Sequence, residues 1–376
     1  MALALGLEVA YNTNINASGI DPIGDISLTP RFSIGVHWPI TRQNELHFQL
    51  GLQYRRYLFH PDYSLNRFII DPGTLLEYRV FTGDFVFTIY DVPAIYTEPD
   101  NDPGIFNTVN FQQLQNTAGI SIHHNLNKLV TTLGFERVDT RSLSGTYESN
   151  NGVSYRVYGT TFYSVTPTTR IGVRGVLSTR DYTNNTLNNY VSTLAGAVIT
   201  GSITPLTSYH VEMGIQSASY SATGKPESEL TFTEVDGFNE NVRGTLGGGN
   251  YVQPYFRIGI SSQLTRHIQH SASFVREAEP SSVSNYTEQN TIAYNVDWRL
   301  NRVATLALYG GYTLGQISSS TTPIDYWQLN LRSRLSLEIT RDTNLAFFYD
   351  YLVNDLAVSN GSYDRSRFGV SLGWTF

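Results

Sequence analysis

Apolar and small or polar side chains alternate with period two along nearly the whole chain, in segments of about 10 to 16 residues, the spacing of strands with two unlike faces. From Glu45 to Tyr57, Leu46, Phe48, Leu50, Leu52 and Tyr54 fall on one face. His47, Gln49, Gly51, Gln53 and Arg55 fall on the other. Successive side chains of a strand point to opposite faces, so each segment has an oily and a wet side. Leu3, Leu5, Leu7, Val9 and Tyr11 repeat the split against Gly6, Glu8, Ala10 and Asn12, and Phe256, Ile258 and Ile260 against Arg257, Gly259 and Ser261.

About 18 such segments are predicted, centred near residues 8, 33, 51, 74, 90, 117, 135, 159, 175, 196, 215, 257, 273, 293, 310, 332, 351 and 369. The parity is ambiguous near 196 and 273. Short connections at 41–44, 82–84, 125–128, 166–169, 204–207, 265–267, 301–302 and 341–343 alternate with long ones. Five short connections share an aliphatic residue, Thr, then Pro or Arg: Ile40-Thr41-Arg42, Val165-Thr166-Pro167, Ile203-Thr204-Pro205, Leu264-Thr265-Arg266 and Ile339-Thr340-Arg341. Repeats of this kind describe a string of hairpins. Residues 1–376 are therefore read as one unit, with both termini at the short-turn end.

Which face is oily decides the architecture. A soluble barrel of this size needs an apolar interior, but its lumen would be too wide for side chains to fill. A membrane barrel turns its oily face to lipid and must close, because an open edge is costly there. Trp38, Trp298 and Trp374, near short turns, and Trp327, near a long loop, share the apolar parity expected of an interfacial girdle. The expectation is an all-β, antiparallel up-and-down transmembrane barrel of about 18 strands. Asp71-Pro72-Gly73 leaves 16 as the alternative, since a loop there would shorten the fourth strand, and Pro93 and Pro254 also fall in strand segments where they remove donors.

Composition agrees. Charged residues make up only 15% of the chain, there is no cysteine, and no run of 18 apolar residues offers a helical span. A net charge of −7 argues against nucleic acid. The opening Met1-Ala-Leu-Ala-Leu lacks the basic region of a signal peptide, so a start downstream of a removed signal is expected.

The last segment reads Phe368-Gly-Val370-Ser-Leu372-Gly-Trp374-Thr-Phe376. It resembles the C-terminal signal of Gram-negative outer-membrane β-barrel porins, with Phe368, Val370, Leu372, Trp374 and Phe376 outward. The resemblance implies short periplasmic turns, long extracellular loops, an outer-membrane location and delivery by the barrel assembly machinery. Tyr11-Asn-Thr-Asn-Ile-Asn16 with Leu28-Thr-Pro-Arg-Phe32 also resembles β-barrel porins associated with exopolysaccharide loci.

Several motifs have plainer readings. Gly369-Val370-Ser371-Leu372-Gly373 matches the nucleophile-elbow string, but that motif needs a sharp strand-to-helix turn. His123 and His124 point to opposite faces and cannot easily share a metal ion, and His267 and His270 flank a turn as polar anchors. His210 with Glu212, and Asp297 with Arg299, are same-face pairs that neutralise a wall. No catalytic residue, metal site or cofactor is expected. Acids crowd the long connections at Asp21, Asp25, Asp62, Glu98, Asp100, Asp102 and Glu148, where divalent cations could bridge them to lipopolysaccharide and other outer-membrane lipids.

The wet face is rich in arginine. Lys128 and Lys225 are the only lysines among 25 basic residues. Arg31, Arg55, Arg79, Arg156, Arg170, Arg174, Arg180, Arg257, Arg299, Arg332, Arg334, Arg365 and Arg367 are assigned inward, against Glu8, Glu45, Glu77, Glu136, Glu212, Asp297, Glu338 and Asp350. A net-acidic chain would then enclose a net-basic pore. In an 18-strand ring Arg156, Arg174 and Arg180 face the wall that carries Arg332, Arg334, Arg365 and Arg367. The 223–249 connection, with Glu227, Glu229, Glu234, Asp236 and Glu240, is the expected constriction loop.

These readings converge on a water-filled channel for small hydrophilic solutes that favours anions. The alternative is an export conduit for an acidic exopolysaccharide, with Tyr57, Tyr158, Tyr220, Tyr255, Tyr309 and Tyr363 stacking on sugars. A membrane-embedded enzyme is the third class. Monomer and homotrimer both remain open.

Overall fold

A computed structural model describes the chain except residues 65–66, 98–102, 106–110, 145–147, 149, 184–186, 223–248, 282–283, 319–322 and 359–360. Eighteen strands run antiparallel: β1 Ala2–Asn12, β2 Asp25–Thr41, β3 Asn44–Gln53 continued by Arg56–Tyr57, β4 Ile69–Ile70 continued by Leu75–Thr82, β5 Phe85–Tyr96 and β6 Gln113–Leu126. They continue as β7 Leu129–Ser142, β8 Gly152–Ser164, β9 Thr169–Tyr182, β10 Tyr190–Thr204, β11 Thr207–Tyr220 and β12 Gly249–Thr265. The last are β13 Ile268–Pro280, β14 Tyr286–Arg299, β15 Ala304–Ile317, β16 Ile324–Glu338, β17 Thr343–Leu356 and β18 Tyr363–Thr375. Each strand pairs with its neighbours in sequence, and β18 pairs with β1 from Ala4–Thr375 to Asn12–Arg367, closing the barrel.

The bend at Asp71-Pro72-Gly73 is absorbed without loss of a strand. Pairing of β3 with β4 shifts by two residues between Gln49–Leu75 and Leu52–Ile70, and the excess bulges around Gly51. The Asp71 N–H donates to the Gly51 carbonyl, while the Gly51 N–H donates to Thr74 Oγ1. A Cβ on Gly51 would lie 2.8 Å from Asp71 Cβ, so only glycine leaves room for the bulge. The count therefore stays at 18.

The recurring short-turn phrase has a single physical cause. In all five copies the threonine hydroxyl accepts the backbone N–H two residues on: Thr41 from Gln43, Thr166 from Thr168, Thr204 from Leu206, Thr265 from His267 and Thr340 from Asp342, at 3.1–3.3 Å. This closes the turn locally. The aliphatic residues before them, Ile40, Val165, Ile203, Leu264 and Ile339, are all exposed at the short-turn end. Asn127 and Gly83, with φ of 51° and 57°, supply left-handed residues in the two-residue turns between β6 and β7 and between β4 and β5.

Outward positions form the apolar belt. Ile89, Ile120, Leu133, Val173, Ile215, Ile292 and Phe347 are exposed there, as are Trp38, Trp298 and Trp374. Trp327 shares that face and donates to Asp355 Oδ2 at 2.6 Å. The two ambiguous segments resolve through their neighbours: β10 turns Leu194 and Val198 inward, and β13 turns Ser273, Val275 and Glu277 inward.

Candidate functional site

The candidate site is the lumen. Strand register places Arg156 on β8, Arg174 and Arg180 on β9, Arg257 on β12, Arg299 on β14, Arg332 and Arg334 on β16, and Arg365 and Arg367 on β18, all on the inner face. Glu212, Asp297, Glu338 and Asp350 share that face. Two cavities open from it. One, of about 680 Å³, is bounded by β6 to β11 and includes Glu136, Arg156, Arg174 and Arg180. The other, about 330 Å³, lies across the ring and includes Glu8, Arg31, Arg332, Arg334, Asp350 and Arg367.

Three lumen acids are tied to particular arginines. Glu8 is almost fully buried and bonds Arg31 on β2 and Arg367 on β18, joining three strands at the closing seam. Glu212, also buried, accepts from Arg174 at 3.2 Å and lies 3.6 Å from His210 Nε2. Glu136 pairs with Arg156 at 3.2 Å and accepts from the Tyr90 hydroxyl at 2.6 Å.

Three arginines hold only neutral partners among the described residues. Arg180 donates to Thr140 Oγ1, Ser154 Oγ and the Asn150 carbonyl, and its guanidinium lies 4.8 Å from the Tyr182 ring. Arg332 donates to Asn330 Oδ1 and stacks over Tyr309; Arg334 donates to Ser371 Oγ at 3.1 Å. Their positive charge is not cancelled by an ion pair, and the walls that carry them lie on opposite sides of the ring. Ser371 sits inside the continuous strand β18, without the turn an elbow nucleophile needs.

Tyrosine rings tile one wall. A Cβ on Gly134 would collide with the Tyr158 ring from the next strand, and one on Gly119 would come 2.5 Å from Tyr90 Cζ. The rings therefore lie against bare backbone and bring their hydroxyls to 3.4 Å from each other. Long side chains thus occupy little of the bore here.

Two described segments enter the lumen. Asn354 on β17 donates to the carbonyl of Pro103 at 3.0 Å, so the connection between β5 and β6 reaches across to β17. Pro103, Gly104 and Ile105 are buried. The second is the upper end of the β13–β14 hairpin: Ala278, Glu279, Pro280 and Ser281 line the larger cavity beside Arg180. The expected constriction residues Glu227, Glu229, Glu234, Asp236 and Glu240 lie outside the described residues.

Other assignments need correction or addition. Asp25 is a buried anchor, not a loop acid open to bridging cations: its carboxylate accepts the backbone N–H groups of Leu58, Phe59 and His60 and contacts the His60 ring. Two further acids belong to the inner face. Glu277 pairs with Arg257 at 3.4 Å, and Asp71 projects from the bulge over Gly51. Alternation from outward Phe274 predicts Glu277 inward, and because the bulge adds two residues the inward parity of Glu77 extends to Asp71. They narrow the excess of arginine over acid. His123 faces inward to Thr132, whereas His124 faces outward and stacks on Phe85. Among the described residues no cluster of three metal-binding side chains occurs.

No protein-family model matches the chain, and no curated protein matches it. Solved structures do. OccK9 (OpdG) of Pseudomonas aeruginosa superposes with a TM-score of 0.57 at 10% identity, over 100% of this chain and 98% of that one. The fold is that of an outer-membrane porin. The outer-membrane protein OpdK of P. aeruginosa gives 0.56 at 10% identity over 100% and 99%, and a BenF-like porin of Pseudomonas fluorescens Pf-5 gives 0.56 at 11% over 100% and 98%. The porin fold thus extends over the entire chain, while the lumen side chains are this sequence's own.

Proposed function

We propose that the protein is an outer-membrane diffusion channel for small hydrophilic solutes whose arginine-lined lumen mildly favours anions. The observation that carries the anion preference is the set of guanidiniums at Arg180, Arg332 and Arg334, bonded to neutral groups on opposing walls. Low-dielectric walls focus such a field and raise the local anion concentration, and a guanidinium fork suits carboxylate and phosphate. OpdK has been solved with vanillate, itself an anion. Segments that cross the lumen favour small solutes over an exopolysaccharide chain. In this reading the short turns face the periplasm, and exposed Asp21, Asp62 and Glu148 face lipopolysaccharide.

A planar bilayer with a salt gradient tests it. The expected reversal potential has the sign of anion preference, and Arg332→Gln with Arg334→Gln moves it toward zero. Clear cation preference overturns the selectivity, and absence of conductance overturns the channel.

A further inference from the structure

Among the described residues, the ladder between β12 and β13 is incomplete. On one side β12 pairs with β11 without a break up to Tyr220–Gly249. On the other, its ladder to β13 stops at Phe256–Arg276. Residues 249–255 of β12 therefore present an edge to which β13 does not bond. The hairpin itself continues intact to Pro280–Tyr286.

The free length of that hairpin lies inside the barrel. Gln216, on the inner face of β11, donates through Nε2 to the Ala278 carbonyl at 2.6 Å and accepts the Ala278 N–H through Oε1 at 2.9 Å. Ala278 belongs to β13, two strands away. A wall strand offers these backbone groups to its neighbour β12; here a side chain projecting into the lumen takes both. Tyr255 and Gln253 on β12 are correspondingly buried behind the hairpin. Arg257 pairs with Glu277 across the same step, Tyr286 packs 4.4 Å from Tyr251, and Asn188 donates to Asn285 at 3.0 Å.

Sequence explains why the ladder does not simply extend. Continued in register, Pro254 would face Ala278 and Val252 would face Pro280. Proline has no N–H to donate, so two of the next four pairs lack a ladder donor. Gln216 supplies bonding that the β12 backbone does not: among the described residues it alone donates to the Ala278 carbonyl, while the Ala278 N–H is shared between its Oε1 and the amide oxygen of buried Gln253 on β12, 2.8 Å away.

We infer that Gln216 is a positioning residue that holds the upper β13–β14 hairpin in the lumen and thereby sets the size limit of the pore. This rests on the channel reading above. Its arginines and its clamp are separate parts, the first acting on charge and the second on bore.

The test is solute exclusion in planar bilayers, using neutral polyethylene glycols of graded size on the full chain, with reversal potential recorded in parallel. In Gln216→Ala, the polymer size that enters and the single-channel conductance both rise, while the sign of the reversal potential is kept. Gln216→Glu, which accepts the Ala278 N–H but cannot donate to its carbonyl, gives a smaller rise. Pro254→Ala with Pro280→Ala, which restores the missing donors, shifts exclusion the same way without touching Gln216. Unchanged exclusion in Gln216→Ala and in the double proline variant, both inserted and conducting, overturns the clamp. A wild-type protein that does not conduct overturns the channel reading instead.

Discussion

The two ends of the sheet in sequence, β18 and β1, and two neighbours in sequence, β12 and β13, are each joined by nine residue pairs, but the first ladder runs nearly the length of β1 while the second leaves 249–255 of β12 unbonded by β13. At the closing seam the ladder is unbroken and Glu8 is buried between Arg31 and Arg367. At the other the ladder is abandoned above Phe256, and the pair that bridges the step, Arg257 and Glu277, is partly open to water. Closure must hold because an open edge in lipid exposes unbonded backbone. Near the long-loop rim a strand can leave the wall if other groups take its hydrogen bonds, as the Gln216 amide does. Chain proximity thus does not determine where the wall is strong; the supply of partners does.

Breaking one ion pair at graded depths sharpens the contrast. Glu8→Gln removes the buried carboxylate shared by Arg31 and Arg367 at the closing seam and should cost about 3 kcal/mol, since breaking a buried pair is strongly destabilising. A denaturant midpoint followed by heat-modifiable gel mobility reads this, and a loss below about 1 kcal/mol, the size of an exposed pair, would mean that the seam does not depend on Glu8. Arg174→Gln removes the ion pair of buried Glu212, with Arg257 still opposite it in register, and a loss of roughly 1–2 kcal/mol is expected by the same measurement. Glu277→Gln, at the parted strands, should cost less than about 1 kcal/mol because that pair is exposed to water. A cost at Glu277 equal to that at Glu8 would erase the distinction between the two seams.

The strands were legible in the sequence because each carries an apolar outward face and a more polar inward one, so alternation survives along the chain. The short turns were legible as a repeated phrase, and the structure adds its cause in the threonine hydroxyl. Proline at 254 marked a departure without indicating its outcome. That outcome depends on Gln216, a residue with no distinguishing pattern, meeting backbone 62 residues later in the chain. Asp71 escaped because Asp71-Pro72-Gly73 reads as a bend; the two-residue shift keeps the parity of the strand, and the fit against Gly51 shows where the extra residues go. The contact of Pro103 with Asn354 joins residues 251 apart, and nothing in either segment announces it.

The rings that lie over bare backbone on β6 and β7 carry an evolutionary consequence. Tyr158 and Gly134 fill one volume, as do Tyr90 and Gly119. A lineage that gains a side chain at either glycine must first lose or turn the facing ring, so the two positions of each couple should change together or not at all. Aligned relatives would show them as covarying pairs, and a library that randomises both members of a couple would recover folded barrels that randomising the glycine alone does not.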